Sequence, residues 1–163
     1  MAEPELRDRM RLWRACLPDL GPGGSARRLY VLDTEEGDWD LLLRAVARGP
    51  WRHRFSLDEF AAPLPKYGIE AFALWRQAAP LLELAVGLAV VRCRFRSVPR
   101  IEWELDPAEV ADPDALEALV RFMAWLGRVL RRTVLLAPDE APERPILEYV
   151  DATRRLRFHV VGS

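Results

Sequence analysis

Three acids at alternate positions, Glu102, Glu104 and Asp106, are the sharpest chemical feature of this 163-residue sequence. Alternate side chains of an extended strand share one face. Carboxylates gathered that way could hold Mg²⁺ or Mn²⁺ for a hydrolytic reaction. Across the turn SVPR (97–100), however, runs a second alternation, Arg92, Arg94 and Arg96. Closing the two segments into a hairpin sets Arg96 against Glu102, Arg94 against Glu104 and Arg92 against Asp106. Phe95 then meets Trp103, and Cys93 meets Leu105, on the reverse face. Each cross-strand pair contributes ~0.2–1 kcal/mol, and three in line specify a register. Carboxylates already bonded to guanidinium groups make a poor metal site. The ion-pair ladder is therefore the preferred reading, and a divalent-metal hydrolase built on Glu102, Glu104 and Asp106 is the alternative.

The remaining nucleophiles and bases are sparse. His53 and His159 are the only histidines, with no HxH or HExxH spacing, so an acid/base or ligand pair would have to be assembled by the fold. Ser56 lies three residues from His53 and so on the opposite strand face. Cys93 alternates with apolar residues that would bury it and raise its pKa, which argues against a nucleophile. The glycines at 21, 23 and 24 precede an arginine and a strand rather than the helix N-terminus a phosphate loop needs, and read as a turn. Lys66 is the only lysine, so any phosphate-cradling or Schiff-base lysine must be that residue.

Two features suit binding. The chain has six tryptophans, and Trp with Arg dominates interface hot spots. Trp39, inside the acidic stretch TEEGDWD, is the one expected to be exposed, with Asp33, Glu35, Glu36, Asp38 and Asp40 around it as a surface for a basic partner. The competing reading is an acid-rich helix start that favours the dipole. A small-ligand pocket lined by tryptophans is a third possibility.

These residues sit in a chain that is half hydrophobic and 30% charged, with 24 basic and 25 acidic residues. That composition is of a globular domain with a real core, not a disordered tail or a fibre. The near-neutral balance, with a pI of about 6.2, lacks the footprint of a dedicated nucleic-acid binder. With a single Lys, a single Gln and no Asn, the many arginines most simply reflect a GC-rich genome rather than selection for guanidinium recognition. Two cysteines without a CxxC spacing suggest free thiols in a reducing compartment. The mixed-charge N-terminus has no apolar signal core, and the longest apolar run, Ala78 to Val91, is interrupted by Pro80 and Glu83. A cytoplasmic location is expected, with no membrane partner and no cofactor.

The elements follow from periodicity. An amphipathic helix is expected from Pro4 to Cys16, then the turn Gly21 to Ser25 and a strand Leu29 to Asp33. A helix capped by Asp38 should run to Gly49. Trp51, His53 and Phe55 alternate as a strand, and Ile69 to Ala79 reads as a buried helix stopped by Pro80. The hairpin of 91–96 with 101–106 follows. Pro113 to Arg132, with Asp112 as N-cap, is the strongest helix, its stripe being Leu116, Leu119, Val120, Met123, Leu126, Val129 and Leu130. Strands at Val134 to Leu136, Ile146 to Val150 and Leu156 to Val160 complete the chain. Residues 1–163 thus read as one α+β domain, a mainly antiparallel sheet of hairpins packed on a long amphipathic helix and two to three others. The function expected is a non-catalytic cytoplasmic protein–protein interaction domain, an inhibitor or immunity-type partner of a basic protein.

Overall fold

The first strand, β1 (Arg27–Leu32), lies near the middle of the sheet, because its apolar residues Leu29 and Val31 alternate with Arg28 and Tyr30 and can be flanked on both edges. The structure, a computed structural model, describes residues 10–14 and 27–159. Residues 10–14 are helical and pack Leu12 and Trp13 on the core. The rest of the expected helix Pro4 to Cys16, the Gly21 to Ser25 turn and Val160 lie outside the described residues.

The strands are β2 (His53–Leu57), β3 (Phe60–Ala61), β4 (Pro80–Val86), β5 (Ala89–Cys93), β6 (Arg100–Leu105), β7 (Val134–Pro138), β8 (Leu147–Val150) and β9 (Arg155–Phe158). They form one nine-stranded sheet in the order β3-β2-β4-β5-β6-β1-β7-β8-β9. Every neighbouring pair is antiparallel. Among the described residues after 27, three α-helices accompany it: α1 (Glu36–Arg48), α2 (Gly68–Ala73) and α3 (Pro113–Leu130). This is the expected α+β class. Helix α3 crosses β4, β7 and β8 and packs on α1. One sheet face is therefore apolar and covered. The other is open and charged.

The caps of α3 match the sequence signals. Asp112 Oδ1 accepts from the Ala115 N–H at 2.8 Å, Pro113 takes the first helical position, and Arg131 closes the helix at φ 53°. Its stripe differs in detail: Phe122 and Gly127 are buried, whereas Val120 and Val129 are half-buried. Phe122 is central, in edge contact with Trp51 and Trp103 and stacked on Trp125. Gly127 is required because a Cβ there would sit 2.5 Å from the Tyr149 ring.

One expectation fails in the middle of the chain. The helix expected over Ile69 to Ala79 ends at Ala73 and tightens into a 3-10 turn, Leu74–Arg76. The reason is strand pairing: Ala79 N–H donates to Asp58 Oδ1 at 2.9 Å, and Ala79 O accepts from Asp58 N–H at 3.1 Å. Pro80 then opens β4, a first-strand position where its missing N–H is tolerated. The apolar run after it forms a hairpin, β4 and β5, reversed at Gly87 with φ +62°.

Candidate functional site

The open face carries the residues singled out by type. Arg54, Glu83, Arg92, Glu104 and Arg28 stand directly opposite one another on β2, β4, β5, β6 and β1. Charge thus alternates across five strands. Glu83 is 3.6 Å from Arg54 and 3.4 Å from Arg92, and Arg92 also reaches Glu109 at 3.8 Å. Arg28, only 13% exposed, meets Glu102 at 2.7 Å, Glu104 at 3.8 Å and Asp139 at 2.6 Å. Burial alone would lower the Arg28 pKa; Asp139, Glu102 and Glu104 outweigh it and hold the guanidinium above its ordinary value. Arg94 binds Glu104 at 3.0 Å, Arg96 adds a bond at 3.2 Å, and Arg100 binds Glu102.

The hairpin register is not the expected one. Arg92, not Arg94, is the backbone partner of Glu104, a slip of two residues from the pairing of Arg96 with Glu102. Strand β5 stops at Cys93 because Phe95 adopts φ 55° and turns its ring into a cluster with Trp39, Phe55 and Phe72. An even slip preserves side-chain faces, so Phe95 and Trp103 are both buried and the charges remain outside. Of the expected ion pairs, Arg94 with Glu104 forms; Arg96 goes to Glu104, and Arg92 to Glu83 and Glu109. Asp106 leaves the face altogether, capping the 3-10 turn Pro107–Glu109 through the Ala108 N–H at 2.9 Å.

The metal reading therefore has only Glu102 and Glu104 on one face, each held by two or more arginines. Among the described residues no three His, Cys, Asp or Glu side chains gather as a metal set. The histidines cannot cooperate. His53 lies on β2 toward one sheet edge, while His159 follows β9 at the other and bonds Glu148 at 2.9 Å. Ser56 is buried, on the face opposite His53. Cys93 is a buried free thiol, its pKa pushed up by burial to about 12.

Trp39 is the clearest correction. Expected at the surface, it is wholly buried, and its indole N–H donates to Val98 O at 2.9 Å. Thr34 Oγ1 donates to the same carbonyl at 2.7 Å, and Trp75 Nε1 donates to Phe95 O at 2.9 Å. Two tryptophans thus bracket the kinked segment that presents Arg94 and Arg96. The acids near Trp39 divide. Glu35, not Asp38, is the N-cap of α1; Asp38 accepts from the Glu35 N–H at 2.8 Å and binds Arg132 at 2.9 Å, which holds that guanidinium above its ordinary pKa. Asp40 accepts from the Gly68 N–H at 2.7 Å, and a Cβ at Gly68 would lie 2.6 Å from Trp39 Cβ. Asp33, Glu35 and Glu36 stay exposed.

Sequence pattern missed the exposed apolar set. Phe60, Tyr67, Ile69 and Trp75, within residues 60–75, are between 45% and 79% exposed. The only early signal was that Ile69 and Trp75 fall in a segment with Pro63, Pro65 and Gly68, too broken to bury a full helix face. Compared with known proteins, the chain matches no family model, no curated protein and no solved structure. No helix of the described residues is long and apolar enough to cross a membrane.

Proposed function

We propose that this chain is a non-catalytic cytoplasmic binding domain, of the inhibitor or immunity type, whose partner is another protein with a basic surface. The observation that carries this reading is the exposure of Tyr67, Ile69 and Trp75 within one short segment, which the bond from Gly68 N–H to Asp40 joins to the acid-started helix α1. The bond from Gly68 N–H to Asp40 ties Tyr67 and Ile69 to the first turns of α1, where Glu35 and Glu36 face solvent. An apolar centre with a charged rim is the anatomy of a protein interface. The acids would steer association, and the apolar residues would set the dissociation rate. The buried free thiol of Cys93 favours a reducing compartment.

The test compares affinity capture from native lysate by wild type, Ile69→Asp with Trp75→Ala, and Glu35→Arg with Glu36→Arg. The expected result is a partner retained by wild type and lost by the apolar variant, with the charge reversal slowing association in a salt-dependent way. Identical capture by all three overturns the surface. Saturable Mg²⁺ or Mn²⁺ binding that disappears in Glu102→Ala or Glu104→Ala would replace it with the hydrolase.

A further inference from the structure

We infer that the groove between α1 and residues 64–67 binds a small phosphomonoester carried on an apolar or aromatic body. The groove has a volume of about 530 Å³, within the range of small-ligand sites. Arg44, Arg48, His53 and Lys66 line it, and no carboxylate does. None of these four has an ion pair or side-chain hydrogen bond among the described residues. On the open sheet face, by contrast, Arg28, Arg92 and Arg94 each meet a carboxylate.

Helix geometry sharpens the point. Arg44 and Arg48 are four residues apart on α1, so their heads share a side, and like charges at that spacing repel by ~0.2–0.5 kcal/mol. Arg48, in the last turn, gains from the helix dipole. Arg44 lies one turn after Asp40, whose carboxylate is engaged by the Gly68 N–H, and has no ion pair among the described residues. Lys66, the only lysine, approaches from the facing segment. A dianionic phosphate, carrying about −1.5 to −2 charge at pH 7, would relieve this repulsion where a carboxylate would halve the gain. Leu43, Leu64 and the half-exposed Tyr67 ring supply apolar wall that inorganic phosphate would leave unused.

The test titrates the full chain at low salt with phenyl phosphate, inorganic phosphate, phenol and a tetraglutamate peptide, read by calorimetry. Phenyl phosphate is expected to saturate at one site, about tenfold or more tighter than each of the others. Lys66→Gln and Arg44→Gln should each weaken it by about tenfold while leaving Tm unchanged, since both side chains are exposed. Absence of saturable binding, or affinity unchanged in both variants, overturns the site. Tighter binding of tetraglutamate also overturns it and assigns the groove to acidic protein segments. Neither variant touches Ile69, Trp75, Glu35 or Glu36, so failure here leaves the protein-binding reading standing.

Discussion

The open sheet face and the groove beside α1 are both rich in cations, yet they differ in what surrounds the charge. On the sheet, Arg28 is enclosed by Glu102, Glu104 and Asp139 and carries a raised pKa. In the groove, Arg44, Arg48 and Lys66 share a lining that contains no acid. The first arrangement consumes its charge within the fold and specifies strand pairing. The second leaves charge available. A count of arginines treats the two alike; the difference lies in the partner each guanidinium has found, which is the physical content of a site.

The largest expected effect lies on the sheet. Arg28→Ala should cost ~1–3 kcal/mol in urea unfolding, because Glu102, 14% exposed, would lose a charged partner in a site of low solvent access. A cost below that of a groove variant would dissolve the contrast between the regions. Within the sheet itself, a double-mutant cycle on Arg28 and Glu102 should return a larger coupling than one on Arg96 and Glu104, where the arginine is half exposed and the pair is worth no more than ~0.2–1 kcal/mol. Equal couplings would mean that burial does not distinguish these pairs.

Tyr30 extends the enclosed lattice. Burial is the main force raising its phenol pKa above the ordinary 10.0, the Glu140 N–H that it accepts at 2.8 Å lowers it, and Glu102 raises it further. Because the folded pKa lies above the unfolded one, this contribution is complete below pH 10 and is lost as pH rises through the folded value. Stability measured from pH 9 to 11 should fall less steeply in Tyr30→Phe than in wild type. Parallel curves would remove Tyr30 from the account. The smallest effect belongs to the groove: Arg44→Gln with Arg48→Gln should change stability by no more than ~0.5 kcal/mol. At low salt the relieved Arg44–Arg48 repulsion and the lost dipole interaction of Arg48 oppose each other, and both fade as ionic strength rises. A loss comparable to Arg28→Ala would show that these cations do have partners.

The strand faces of the 91–106 segment and the extent and cap of the longest helix were legible from residue order. The alternation over 91–96 and 101–106 placed Cys93, Phe95 and Trp103 inside and the arginines and glutamates outside, because a strand's side-chain period is two whatever its partner. Asp112 and Pro113 marked the start of α3 because capping is satisfied within one turn. Both are local properties, and the linear sequence by itself determines them. Tertiary structure decided everything that depends on a distant neighbour. Register followed from the aromatic cluster that draws Phe95 out of β5, and Trp39 went inside because Val98 O offered its indole a partner 59 residues away. Asp38 was withdrawn from the surface by Arg132, 94 residues on. The groove joins α1, β2 and the loop before α2, whose cations at 44, 48, 53 and 66 share no spacing that a periodic reading could detect. Whether a charge is spent or available is set by long-range packing, and periodicity records only which side of an element it occupies.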